Sequence, residues 1–216
     1  MSKQKIALFG ATGKAGGNIM AEALDRKHKV TAITYDINKV PVNHHNLNVV
    51  YGHMINKEEI ENHVKGHDVV IAVHEPLPVH PIEHVKSIRA VIDGSRKAGV
   101  RKLVVIGHPI HRPIENTMEF YDLWKPIILA QREALKLFQQ EGLLNWTYLY
   151  SANLEPDTRT GRIDRQDKMC LANNREIREV PLKNYVSIVL DEANAKKQAS
   201  NFVLRDNNLV LEGQLR

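Results

Sequence analysis

The chain has 216 residues, 43% of them hydrophobic, with 30 Lys and Arg against 25 Asp and Glu for a formal net charge of +5. That length suits one domain with a sizeable core and is too short for two generous ones. The single cysteine, Cys170, excludes an intramolecular disulfide framework, and no apolar run approaches membrane-spanning length. No charged, apolar and small-residue order marks a signal peptide, so a cytoplasmic protein without a membrane partner is expected. The basic residues are scattered and form no aromatic-interleaved stripe, so nucleic acid is not indicated as a partner. Attraction of a phosphate-bearing small molecule is reason enough for the excess charge.

Residues 5 to 16 read Lys-Ile-Ala-Leu-Phe-Gly-Ala-Thr-Gly-Lys-Ala-Gly, an apolar strand running straight into glycines. Gly10 suits a sharp turn off the strand, Gly13 a close approach of bare backbone to a pyrophosphate, and Gly16 tight packing of the next helix on the sheet. That helix carries Ile19, Met20, Ala23 and Leu24 on one face. Its free N–H groups and the positive end of its dipole favour an anion without any charged side chain. The turn Gly10, Ala11, Thr12, Gly13, Lys14, Ala15 and Gly16 is therefore the candidate cradle for NAD or NADP.

Strand and helix patterns then alternate. Lys29 to Asp36 reads as a second strand and Leu47 to Tyr51 as a third; Glu58 to Lys65 reads as a helix capped by Asn56 and ended by Gly66. Asp68 to Val73 is almost wholly apolar, as expected for a strand buried on both faces. Pro81 to Ala98 is a helix with Ile82, Val85, Ile88, Val91 and Ile92 expected inward, followed by a strand from Arg101 to Gly107. Lys125 to Gly142 is a long amphipathic helix, and Trp146 to Tyr150 a sixth strand. This alternation predicts an α/β Rossmann fold with a doubly wound, mostly parallel sheet. One domain is expected over 1–216, with a dinucleotide-binding core in 1–150. Residues 151–216 form a smaller cap over the cleft, with polar loops around 156 to 168 and a strand near 169 to 172. They also contain a helix from about Lys183 to Asn194 and a strand at Asn201 to Leu204.

Asp36 lies where an acidic side chain at the end of the second strand accepts hydrogen bonds from an adenosine ribose, although strand ends also favour Asp for turn reasons. Lys14 and Lys39 stand close enough in sequence to neutralise an extra phosphate, so NAD and NADP both remain open.

The opening motif, the helix Trp124-Lys-Pro-Ile-Ile-Leu-Ala-Gln-Arg-Glu-Ala-Leu135, and the segments Asn145-Trp-Thr-Tyr-Leu149 and Glu155-Pro-Asp-Thr-Arg-Thr-Gly161 resemble the NmrA-like atypical short-chain dehydrogenases, the NADH-flavin reductase-like group. The resemblance spans nearly the whole chain. It implies an NAD(P)-binding Rossmann fold and, for some members, hydride transfer to a flavin, quinone or related small-molecule acceptor, with FMN or FAD as one candidate. A homodimer is a candidate assembly. Against the family pattern, Tyr35 replaces a common Arg after the second strand, and Gly52-His53 replaces Gly-Asp after the third. Val73 and His74 open an unusual His-Glu-Pro stretch after the fourth strand, and Gly107-His108-Pro109-Ile110-His111 replaces Gly-Gly after the fifth. Tyr35, His53, Val73 and His74 therefore join the candidate cofactor-binding residues.

For catalysis, His108 or His111 suits hydrogen bonding or proton donation to the acceptor. Tyr121 and Lys125 match the spacing of a Tyr-x-x-x-Lys pair, in which lysine lowers the tyrosine pKa, though Pro126 follows at once. The alternative role of Tyr121 is packing or stacking on the acceptor. His74, His80, His84, His108 and His111 invite a metal reading, but the carboxylate or cysteine spacing of zinc sites is missing and no metal is assigned. The two functions to separate are an NAD(P)H-dependent reductase and a non-catalytic NAD(P)-sensing or regulatory protein.

Overall fold

Short apolar runs set the centre of the molecule. In the computed structural model, which describes residues 3–40, 43–74, 81–107, 118–150, 154–155, 180–194, 202–205 and 208–211, strand β1 (Lys5–Phe9) lies beside β4 (Val69–Val73). Ile6 to Phe9 and Val69 to Val73 are all buried, because helices cover both faces of these strands and no polar alternation is needed. Around them run β2 (Lys29–Thr34), β3 (Leu47–Tyr51), β5 (Lys102–Gly107), β6 (Asn145–Tyr150), β9 (Phe202–Arg205) and β10 (Asn208–Leu211). The eight-stranded order is β3-β2-β1-β4-β5-β6-β9-β10, parallel except for the β9–β10 pair. A separate parallel pair joins β7 (Leu154–Glu155) to β8 (Val180–Pro181).

The alternation of side chains along β1 assigns the two helix layers. Ile6 and Leu8 pack on helices α1 (Lys14–Asp25) and α5 (Leu182–Asn194), whereas Ala7 and Phe9 pack on α2 (Lys57–Val64), α3 (Pro81–Lys97) and α4 (Met118–Gln139). Ile19, Met20, Ala23 and Leu24 are buried, as their spacing predicts. Arg26 ties the first layer together: it pairs with Glu22 at 2.8 Å and Asp191 at 2.9 Å, and donates to the Ser187 hydroxyl at 2.9 Å. Asn56 caps α2, accepting the N–H groups of Glu58 and Glu59 at 2.9 and 3.1 Å.

Two expectations are corrected in detail. Helix α4 starts at Met118, well before Lys125, and carries Pro126 inside it. Proline suits a first turn, yet its lost N–H and ring clash are a local cost that a long, well-packed helix absorbs. Ile82 is exposed, and His84 takes the inward position in the first turn of α3. In the last third, α5 belongs to the helix layer beside α1, and β9 extends the sheet beyond β6, with Tyr148 beside Val203. The loops expected around 156–168 and the strand near 169–172, with Cys170, lie outside the described residues. Among the described residues, no helix is long and apolar enough to cross a membrane.

The second layer is pinned by Phe138 of α4, fully buried with its ring centroid 5.2 Å from Trp146 and 5.6 Å from Tyr148 of β6. Phe138→Ala should lower stability by about 3–5 kcal/mol in chemical denaturation, the scale for truncating a buried aromatic. A loss below about 1 kcal/mol would show that this contact does not hold α4 on the sheet.

Candidate functional site

The sheet order reverses between β1 and β4, and the glycine turn sits at that crevice. Two of its glycines answer demands of the fold itself. Gly10 has φ +78, and a Cβ there would run into the Val73 carbonyl; a Cβ on Gly16 would run into the carbonyl of Gly10. Gly13 is different. Its φ of −80 and ψ of 166 suit any residue, and an added Cβ would meet only the Gly10 oxygen, at 3.6 Å. The space in front of Gly13 is therefore open within the protein, as a cradle for a pyrophosphate requires. Gly13 is also the N-cap of α1, without a side-chain capping bond and with no acidic residue in the first turn. The first N–H groups and the dipole of the helix thus favour an anion there.

Next to the turn lies a cleft of about 330 Å³, near the lower end of small-molecule sites. Phe9, Gly10 and Thr12 form its floor, and Ile33, Thr34 and Tyr35 come from the end of β2. Gly52 to Ile55 follow β3, and His74, Glu83, His84 and Ser87 close the β4 side. The Tyr35 and His53 rings stand nearly parallel, 7° apart in plane and 6.2 Å between centroids. His53 is held from behind, its Nε2 2.9 Å from the Tyr51 hydroxyl and its N–H donating to Glu59 at 3.2 Å. Lys39 Nζ lies 5.7 Å from the centre of the Tyr35 ring. Asp36 is not among the residues lining the cleft. Its carboxylate accepts the Asn38 N–H at 3.2 Å and pairs with Lys39 at 3.5 Å, so in this structure it serves the turn after β2.

Two of the five histidines singled out in the sequence do converge. His74 Nδ1 lies 2.7 Å from His84 Nδ1, with ring centroids 4.3 Å apart. Burial pushes His74 down to about 4, and burial aided by the neighbouring His74 pushes His84 down to about 3. Both are therefore neutral at pH 7. Gln131 and Tyr148 extend this polar group into the core, the Tyr148 hydroxyl donating to Gln131 Oε1. Sequence reading missed both, although Gln131 interrupts the buried face Ile127, Ala130, Ala134 and Phe138 of α4, and that interruption is a legible signal.

The candidate acid–base residues are less defined. His80, His108 and His111 lie outside the described residues. Tyr121 and Lys125 share α4 at helical i, i+4 spacing, which the longer helix provides, and the Lys125 side chain is exposed. Among the described residues, no group of three or more His, Cys, Asp and Glu side chains is placed to hold a metal ion.

The two neutral histidines make stability pH-dependent. Their folded pKa values lie below the ordinary 6.5, so the unfolded chain binds more protons between about pH 6.5 and 3. Their contribution is complete above pH 6.5 and is lost as pH falls through that window. Thermal unfolding should show Tm falling from pH 7 to 4.5, with a shallower fall in His74→Asn/His84→Asn. An equal slope in both proteins would mean that the pair is not held neutral.

The family model described as NAD(P)H-binding matches residues 10–178, most of the chain. The Bacillus subtilis (strain 168) protein YwnB, of uncharacterised function, is 29% identical over 201 residues, covering 87% of this chain and 91% of its own. A Burkholderia pseudomallei structure, provisionally called an exported protein, is 30% identical with a TM-score of 0.66, over 88% of this chain and 92% of that one. A Streptococcus pneumoniae TIGR4 structure, provisionally called an NADH-flavin reductase, is 25% identical with a TM-score of 0.66 and the same coverage, 88% and 92%. The open Gly13 cradle at the switch point and these likenesses agree: the chain belongs to the NAD(P)H-binding family of Rossmann proteins, among the NmrA-like atypical short-chain dehydrogenases.

Proposed function

We propose that the protein is an NAD(P)H-dependent oxidoreductase that passes hydride to a flavin- or quinone-like small molecule, FMN and FAD among the candidates. The observation that carries the reading is Gly13, a glycine that the fold does not require, set at the start of α1 beside the cleft. The N–H groups of that turn would hold the pyrophosphate of NAD or NADP. The parallel rings of Tyr35 and His53 offer flat faces for an adenosine at the outer end of the cleft. Lys39, with its Nζ 5.7 Å from the Tyr35 ring centre, is the nearby charge that a 2′-phosphate would seek.

The dinucleotide, once bound, supplies the hydride, and a flavin or quinone ring is the acceptor class that asks least of a protein acid. The chain's contribution is then placement: α1 and the cleft walls fix one reactant, and the second is brought against it with little translational freedom. The segment after β5, with His108 and His111, and the start of α4, with Tyr121 and Lys125, are the candidates to bind the acceptor.

Gly13→Val should fold, since its φ and ψ suit a β-branched residue, and should weaken NADH and NADPH binding by roughly tenfold or more. Isothermal titration of the folded variant checks this; unchanged affinity would sink the cradle. With FMN, FAD and several quinones as acceptors, Tyr121→Phe should alter turnover little. A loss on the order of 10²-fold with unchanged cofactor binding would instead restore a tyrosine acid and a carbonyl substrate. Dinucleotide binding without turnover of any acceptor would favour the sensing role.

A further inference from the structure

Among the described residues that line the cleft, Glu83 alone carries a carboxylate. It is exposed in the first turn of α3, and among the described residues it enters no ion pair or hydrogen bond. Asp36, the other carboxylate considered for the nucleotide, is engaged by Asn38 and Lys39. An acidic side chain beside a cradle for phosphates opposes their binding unless it stands at the far end of the ligand.

The helix face on which Glu83 lies gives its direction. Residues 83, 87, 90 and 94 share one face of α3 at helical spacing. At the lower end of that face Gly94 is pressed against α2, where a Cβ would run into the Ile60 side chain and the Lys57 carbonyl. Ala90 above it is buried, and Ser87, 5% exposed, lines the cleft. Glu83 stands about 16 Å farther along the axis than Gly94, on the same face. This is the face turned toward α2 and toward the loop before it, which supplies Gly52 to Ile55 to the cleft and holds His53. Glu83 and Ser87 therefore look toward the end where the Tyr35 and His53 rings stand.

We propose that Glu83 selects the base of the dinucleotide, its carboxylate accepting a hydrogen bond from the exocyclic amine of adenine while the Ser87 hydroxyl, one turn on, donates to the neighbouring ring nitrogen. This rests on the dinucleotide reading above and adds to it the residue that discriminates between bases. Stacking on Tyr35 and His53 tolerates any base, because every base has a π-face, so selection has to come from the edge. The adenine edge presents an amine donor beside a ring acceptor. A carboxylate only accepts and a hydroxyl can donate, so the two side chains match that order. A base with a carbonyl in place of the amine would set oxygen against oxygen and leave the carboxylate without a donor. Exposure keeps Glu83 hydrated until the base arrives, and no buried charge is left unpaired in the free protein.

The test is isothermal titration of the full chain at pH 7 with NADH and with reduced nicotinamide hypoxanthine dinucleotide, which differs only in a carbonyl where adenine has its amine; the same pair carrying the 2′-phosphate is titrated alongside. The wild type should bind the adenine form roughly tenfold more tightly, the scale of one hydrogen bond to a charged group. Glu83→Gln, whose carboxamide accepts from an amine or donates to a carbonyl, should narrow that preference to about threefold or less. Glu83→Ala should lose it chiefly through weaker binding of the adenine form. A wild-type ratio near one, or a preference kept in both variants, overturns the assignment. So does an equal loss for both bases in the variants, which would put the carboxylate on a ribose hydroxyl common to both. Failure of the wild type to bind NADH or NADPH would sink the dinucleotide reading, whereas binding without preference between the bases would sink only the role of Glu83.

Discussion

The contact on which the architecture of the site depends is the approach of α1 to the turn that leaves β1. The Gly10 carbonyl occupies the place where a side chain on residue 16 would stand, and the Val73 carbonyl does the same for residue 10. These approaches lock the start of α1 onto the ends of β1 and β4. The helix N-terminus is thereby held at the reversal of strand order, where two layers diverge and leave a crevice. Gly13 lies between the two crowded glycines and is itself uncrowded, so the same turn that is rigid at both ends stays open in the middle.

The two sides of the cleft are built on different chemistry. On the β2–β3 side, Tyr35, Tyr51 and His53 are aromatic and partly or largely exposed, steadied by Lys39 and Glu59 from neighbouring turns. On the β4 side, His74 and His84 are withdrawn from water and neutral, and continue into the core through Gln131 and Tyr148. The alternation of β6 explains how a polar side chain reaches that side: Tyr148 points into the α3–α4 layer together with Trp146, whereas Leu149 points into the α1–α5 layer.

Much of this was legible along the chain, and the failures have identifiable causes. Strands β1 to β6 and helices α1, α2 and α3 follow from apolar runs, periodicity and glycine stops that act over a few residues. The start of α4 did not, because Pro126 is a local start signal that the packing of a long helix overrides. Ile82 was expected inward and is exposed, because the first turn of α3 directs His84 to the cleft. Asp36 had two local roles available, and the contacts its carboxylate makes, with Asn38 and Lys39, are those of the turn.

By itself, the sequence determined the Rossmann architecture, the glycine turn after β1 and the family, since these rest on short-range signals: which residues turn, which alternate and which cannot carry a side chain. Only the tertiary structure decided that Gly13 is free of the fold's own demands, that His74 pairs with His84, and that Gln131 and Tyr148 stand beside them. The physical reason is distance along the chain. His74 follows β4, His84 and Gln131 come from α3 and α4, and Tyr148 from β6, and no local preference connects them until the parallel sheet brings the carboxyl ends of β4, β5 and β6 to one edge with the two helices packed against them.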